Sequence, residues 1–148
     1  MPDHLFVYGT LRAESAHPMA HRLRVAARHI GRGSTPGRLF DFGHWPGAFF
    51  APEQKYRVIG SVFVLGAGQR LLIDLDKYEG VTPANGEERE FPEAEGLFHR
   101  IAVKVTLDHG GSVEAFAYAL KEMPRARLIG TGDFIADRRL RTPSVVRR

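Results

Sequence analysis

No cysteine occurs anywhere in the chain. That absence excludes a thiol nucleophile, a disulfide framework and thiolate-held zinc or iron–sulfur centres. No apolar run reaches the length of a membrane span or of a secretion-signal core, and the opening Met1-Pro2-Asp3-His4 has an acid and no basic cluster. The expectation is a soluble, cytoplasmic protein without a membrane partner. A P-loop, a dinucleotide fingerprint and a Gly-x-Ser-x-Gly elbow are also missing, and Gly31-x-Gly33 precedes no helix-like segment and reads as a turn. With no internal repeat, long linker or shift in composition, the 148 residues read as one domain over 1–136 and a basic, flexible tail over 137–148.

Apolar material, by contrast, is plentiful. Hydrophobic residues make up 43% of the chain and aromatics 10%, enough for a core that needs neither metal nor disulfide. The net charge is +4, and the excess gathers at Arg22, Arg24, Arg28 and Arg32 and again at Arg138, Arg139, Arg141, Arg147 and Arg148. Such clusters suit nucleic acid or acidic ligands, but a solvated helix face and a frayed tail explain them as well and are preferred.

Periodicity predicts a mixed α/β chain of the α+β kind. Leu5-Phe6-Val7 is a short strand ending in the turn Tyr8-Gly9-Thr10-Leu11. Ser15 to His29 reads as a helix with Pro18 in its first turn and an apolar stripe through Met19, Leu23, Val25, Ala26 and Ile30. A turn-rich link through Gly31, Gly33, Ser34, Pro36 and Gly37 leads to a strand at Arg38–Phe42, and 43–52 reads as a loop plugged by Trp45, Phe49 and Phe50. Tyr56 to Leu65 is a central strand with a bulge or bend at Gly60, and Gln69 to Tyr78 a short helix stopped by Gly80. The acidic stretch Val81 to Gly96, with Pro83, Asn85-Gly86 and Pro92, reads as a mobile loop or lid. Phe98–Leu107 and Val113–Leu120 form a hairpin across Asp108-His109-Gly110-Gly111. Beyond Pro124 the chain reads as irregular, with Leu128, Ile129, Phe134 and Ile135 docking on the core and a tight turn at Gly130–Asp133.

Two features carry chemistry. A glycine behind a buried strand permits dihedrals closed to other residues, and successive N–H groups in such a bend converge on an anion, so the Tyr8–Leu11 turn is a candidate carboxylate cradle. Glu79 stands four residues after Leu75 and seven after Leu72, on the apolar face of its helix. Burial and the negative end of the helix dipole both disfavour its charged form, and a carboxyl so placed has the raised pKa of a group that exchanges protons near neutrality. The competing reading is a carboxylate that caps a buried amide or pairs with an arginine such as Arg100; spacing alone leaves both open. Asp74 and Asp76 fall off the stripe and are expected in solvent. His17 and His21, four apart on the first helix, have a spacing that can grip zinc, but no carboxylate lies at a helpful offset and no metal is expected.

Leu5-Phe6-Val7-Tyr8-Gly9-Thr10-Leu11-Arg12, Leu75-Asp76-Lys77-Tyr78-Glu79-Gly80, Phe98-His99-Arg100, Ala117-Tyr118 and Gly130-Thr131-Gly132-Asp133-Phe134 together resemble the gamma-glutamylcyclotransferase-like family, in order and spacing from residue 5 to about 134. The resemblance implies a small twisted, barrel-like mixed sheet with a few flanking helices and a cavity between the first-strand turn and the Glu-bearing helix. It implies cofactor-independent cyclisation of a gamma-glutamyl group to 5-oxoproline, with release of an amine or amino acid. The backbone of Tyr8, Gly9, Thr10 and Leu11 would hold the glutamyl carboxylate and Glu79 would shuttle the proton. Two departures stand out: Phe98 replaces the hydroxyl-bearing aromatic of a Tyr-x-Arg segment, whose arginine, Arg100, the resemblance makes a candidate substrate-binding residue, and Phe134 replaces a Trp. Tyr118 is a candidate replacement hydroxyl, with a buried structural tyrosine as the alternative. A different class of function also fits, a non-catalytic small-molecule-binding or regulatory module on the same fold that contacts nucleic acid through its arginines. The position of Glu79 separates the two.

Overall fold

Leu5, Phe6 and Val7 are buried and form the middle of the sheet. In the computed structural model, which describes residues 2–12, 17–81 and 95–141, the chain runs β1 (His4–Val7), α1 (Pro18–Ala26), β2 (Arg28–Asp41), β3 (Pro46–Phe50) and β4 (Arg57–Val64). A 3-10 turn (Gly66–Arg70) leads into α2 (Leu71–Tyr78), followed by β5 (Phe98–Leu107), β6 (Ser112–Leu120), β7 (Arg127–Leu128) and α3 (Phe134–Arg141). Neighbours in the sheet are β2, β4, β1, β6 and β5, and β5 returns to β2 through Gly33–Leu107 and Ser34–Thr106. The mixed sheet thus closes into a five-stranded barrel, as the fold class predicted. β1 and β6 run parallel, while the other junctions of the ring are antiparallel.

The two-residue period of β1 sorts its side chains. Phe6 and Tyr8 enter the barrel interior with Val58, Val62, Val105, Ala115 and Ala117. Leu5 and Val7 face outward, where Leu23 of α1 and Leu71, Leu72 and Leu75 of α2 cover them. The helices therefore seal one outer face of the barrel beside the end of β1.

Several expectations fail for tertiary reasons. The glycine-rich link over 31–37 is the body of the 14-residue β2. Its glycines mark close approaches rather than turns: a Cβ on Gly33 would lie 2.7 Å from Val105 Cγ1, and one on Gly37 2.9 Å from the Phe49 carbonyl. The bulge falls at His29/Gly31, not at Gly60, which stays in register opposite Gly33 beneath the Phe6 ring. Residues 46–50, read as loop, pair along Gly37–Asp41 as β3. The first helix is shorter than predicted, because β4 recruits Arg28-His29-Ile30 into β2. Gly80 ends α2 with φ 74, one residue after the C-cap Glu79. The lid predicted over 81–96 lies mostly outside the described residues. The end of the chain is less irregular than read: β7 pairs with Phe40 and Asp41, and α3 crosses the boundary drawn at 136 and continues to Arg141. Asp137 is buried and Arg138 donates to Asp41 at 3.2 Å, so the first part of the presumed tail is docked. Residues 142–148 lie outside the described part.

One buried ion pair ties the turn after β1 to the start of α3. Arg12, 1% exposed, donates to Asp133 at 2.5 Å. Burial works against the charged carboxyl of Asp133, but the Ala136 N–H and Arg12 outweigh it and hold its pKa below the usual carboxylate range. Removing one member of such a pair strands the other without solvent. Arg12→Met should therefore lose about 3–5 kcal/mol of stability, read as a lowered urea midpoint with an unchanged m-value; an unshifted midpoint would show the pair to be dispensable.

Candidate active site

Tyr8 directly follows β1, with its ring in the barrel and its hydroxyl fully engaged, donating to the Tyr118 carbonyl at 2.6 Å and accepting from the Ala48 N–H at 3.1 Å. Burial, and then the nearby Glu79, push its phenol far above the usual range. Gly9 does not adopt positive φ, contrary to the dihedral argument from sequence. Its small size is needed because Pro46 crosses over it: a Cβ would lie 2.8 Å from Pro46 Cγ. The Gly9 carbonyl accepts from the Arg12 N–H at 3.1 Å, closing the turn. Among the described residues, the amides of Gly9, Thr10 and Leu11 donate to no other group.

Facing this turn is the end of α2. Leu71, Leu72 and Leu75 anchor the helix, and the Glu79 N–H donates to the Leu75 carbonyl at 2.8 Å, fixing the residue as C-cap. One cavity is lined by Tyr8, Gly9, Thr10 and Leu11 on one side and by Tyr78, Glu79 and Tyr118 on the other, with Trp45, Pro46 and Phe98 completing the wall. No hydrogen bond or ion pair joins the Glu79 carboxyl to another described residue. Glu79 keeps part of its surface open to the cavity, but the protein packed around it strips most of its solvation and raises its pKa from 4.5 to about 8. The Arg100 pairing held open by the sequence is not made.

Arg100 instead stands outside the lining, its Nε 3.5 Å from Asp76 Oδ1 and its guanidinium over the Phe116 ring. Tyr118 does line the cavity, and its hydroxyl donates to Asp76 at 2.7 Å. Asp76, expected in solvent, is thus a partner of both; the periodicity of α2 placed it correctly off the apolar stripe but could not register the hairpin packed there. Asp74 does meet solvent and pairs with Arg22 at 2.7 Å. Sequence reading also missed Tyr78 and the pair Trp45-Pro46 as wall residues. The available signals were the position of Tyr78 three residues after Leu75 on the helical stripe and the single tryptophan of the chain.

His17 closes the start of α1. It caps α1 by accepting from the Met19 N–H through Nδ1, and no cluster of three or more metal-ligating side chains occurs among the described residues. Several arginines of the basic clusters meet acids of the same chain: Arg22 pairs with Asp74, Arg32 with Asp108 and Arg138 with Asp41. No described helix is long and apolar enough to cross a membrane.

The sequence profile of the family described as gamma-glutamyl cyclotransferase, AIG2-like, matches residues 5–136. No curated protein sequence matches the chain. Among solved structures, YkqA from Bacillus subtilis is similar with 25% identity and a TM-score of 0.66 over 95% of this chain and 42% of that one. The chain therefore spans less than half the length of that relative. An AIG2-like protein of Mus musculus shares 23% identity, with a TM-score of 0.61 over 84% of this chain and 80% of its own. A structure titled gamma-glutamyl cyclotransferase shares the fold at 17% identity, with a TM-score of 0.55 over 86% of this chain and 72% of its own.

A carboxyl with a raised pKa makes the native state hold a proton that the unfolded chain releases at lower pH. Between pH 4.5 and about 8 the native protein thus binds more protons than the unfolded chain, and stability falls as pH rises through that window. A tenfold change in proton affinity is worth about 1.4 kcal/mol. Glu79→Gln should abolish this slope and, at a pH above 8, be more stable than wild type by roughly a few kcal/mol. Denaturant titrations spanning the window check it; parallel profiles for the two proteins would show an unperturbed Glu79.

Proposed function

The chain belongs to the gamma-glutamyl cyclotransferase, AIG2-like family, and from that premise we propose that it cyclises a gamma-glutamyl amino acid or gamma-glutamylamine to 5-oxoproline and releases the amine. The observation that carries the reading is the shared cavity: Glu79 lines the same space as Gly9, Thr10 and Leu11.

The chemistry asks little of the protein. The α-amine of a gamma-glutamyl group is tethered at five-ring distance from the γ-carbonyl, so the nucleophile arrives with the substrate and folding the chain exploits the large advantage of intramolecular attack. The α-carboxylate binds at the Gly9–Leu11 amides, which supply N–H donors without a charged side chain. Glu79, as carboxylate, takes a proton from the α-ammonium. The freed amine attacks the γ-carbonyl carbon, and the tetrahedral intermediate loses a second proton from the same nitrogen as the C–N bond to the leaving group breaks. The departing nitrogen gains both protons, passed through Glu79 one at a time. A single carboxyl with a pKa of about 8 is suited to both directions of transfer. Tyr118, held by Asp76, borders the same space with its hydroxyl oxygen free to accept from the substrate ammonium.

Two outcomes follow. Glu79→Gln should lower 5-oxoproline release from a panel of gamma-glutamyl compounds by at least about 100-fold, with the fold intact by circular dichroism. Turnover at the wild-type rate would remove Glu79 from the chemistry and favour a binding module. In the wild type, kcat/KM should rise with pH toward a limb centred near 8, because the ionised form of Glu79 starts the reaction. A profile already flat well below that limb would contradict the assignment.

A further inference from the structure

Tyr118, Asp76 and Arg100 come from three elements, β6, α2 and β5, and meet beside the cavity. The Tyr118 hydroxyl lies 2.7 Å from Asp76 Oδ1, and Arg100 Nε stands 3.5 Å from the same oxygen with its guanidinium over the Phe116 ring. Tyr118 lines the cavity with Glu79, whereas Asp76 and Arg100 are not part of the lining. We propose that Asp76 is a positioning residue: it takes the only proton of the Tyr118 hydroxyl and leaves the phenol oxygen as an acceptor that binds a ligand's ammonium group together with Glu79.

The direction of this bond is independent of what else surrounds the three residues. A carboxylate only accepts and a phenol has one proton, so the contact between them commits that proton to Asp76. The Tyr118 oxygen then has a lone pair to offer and nothing to donate. Burial, then the hydrogen bond to Asp76 and the charges of Asp76 and Glu79, push the phenol far above its usual range, with Arg100 opposing, so it stays neutral. The influence of Glu79 also places the two groups within electrostatic reach of each other. The hydroxyl of Tyr8 is spent on the Tyr118 carbonyl and the Ala48 N–H, and so offers the ligand no competing donor. One wall of the cavity thus presents acceptors, with the charge of Asp76 behind them. Facing it are Gly9, Thr10 and Leu11, whose amides donate to no other described group. Acceptors on one side and N–H donors on the other fit a ligand with ammonium and carboxylate on one carbon, the head of an α-amino acid. Arg100, a substrate-binding candidate by sequence, serves that ligand indirectly by holding Asp76.

The ammonium site rests on the cyclotransferase reading only for the identity of the rest of the ligand, and its test needs no turnover. L-Glutamate has the α-amino acid head and a γ-carboxylate too poor an electrophile to be attacked; glutarate is the same molecule without the α-amine. In neutral buffer, calorimetric titration should find wild type binding L-glutamate more than about 10-fold tighter than glutarate. Tyr118→Phe should lower that preference by about 10-fold, the scale of one hydrogen bond to a charged group. Asp76→Ala should lower it by about 3-fold, because the hydroxyl survives but its proton is free to face the ammonium. Glutarate affinity should stay at the wild-type value in both variants, whereas a distorted cavity would weaken both ligands alike. A wild type that binds L-glutamate no better than glutarate, a preference unchanged in either variant, or a parallel loss of both ligands overturns the ammonium site. Release of 5-oxoproline from gamma-glutamyl compounds is scored separately. Turnover with an unchanged preference in Tyr118→Phe removes the ammonium site and leaves the reaction standing, while a Tyr118-dependent preference without turnover does the reverse.

Discussion

Arg12 and Asp133 lie 121 positions apart, and their buried contact holds the catalytic candidate turn where it is. The guanidinium follows immediately on the turn, and the carboxylate also accepts from the Ala136 N–H at the start of α3. Next to it, Gly132 packs against the Arg57 carbonyl of β4, where φ is 69 and a side chain has no room. The turn is thus clamped from beneath by a strand edge, a helix start and a charge pair at once. Its amides are left over for something other than the fold, which is how a backbone becomes a preorganised donor set. A buried pair of this kind adds little net stability relative to apolar packing, but it makes one arrangement of the turn far better than its alternatives.

The opposite wall of the cavity follows the contrary rule. Glu79 is enclosed beside aromatic rings, without a countercharge among the described residues, at the end of a helix whose dipole disfavours it. The same elements neutralise other acids with care: Asp76 receives Tyr118 and Arg100, and Asp41 receives Arg127 and Arg138. An enclosed carboxyl with no ion pair among the described residues, in a protein that pairs Asp41 and Asp76, is a local inconsistency, and such inconsistencies mark sites where stability gives way to function. Only a barrel with a well-covered exterior tolerates it, which is the part α1 and α2 play through Leu23, Leu71, Leu72 and Leu75.

Much of this was legible in the sequence where local pattern and tertiary role agree. The hairpin of β5 and β6, the strand β4, the helix α2 with its Gly80 stop, and the turn after β1 followed from alternation, periodicity and glycine placement. The inward position of Glu79 followed from its spacing to Leu72 and Leu75. What failed was local punctuation overruled by pairing. Gly31, Gly33, Pro36 and Gly37 read as turns, yet they lie in the longest strand because neighbours on both sides come too close for side chains. Gly9 was read correctly as indispensable but for the wrong reason, since its constraint comes from Pro46, far along the chain and invisible to any local rule. Asp76 was misjudged for the same cause: its partners, Tyr118 and Arg100, come from the distant hairpin.

The central claim is that one small cavity holds both the carboxylate of a gamma-glutamyl group and the carboxyl that moves its proton. A crystal structure of the protein with 5-oxoproline bound tests it most directly. The account predicts the product carboxylate on the amides of Gly9, Thr10 and Leu11 and the ring nitrogen within hydrogen-bond distance of Glu79. Product ordered with its carboxylate elsewhere, or with Glu79 beyond reach of the ring, would contradict it.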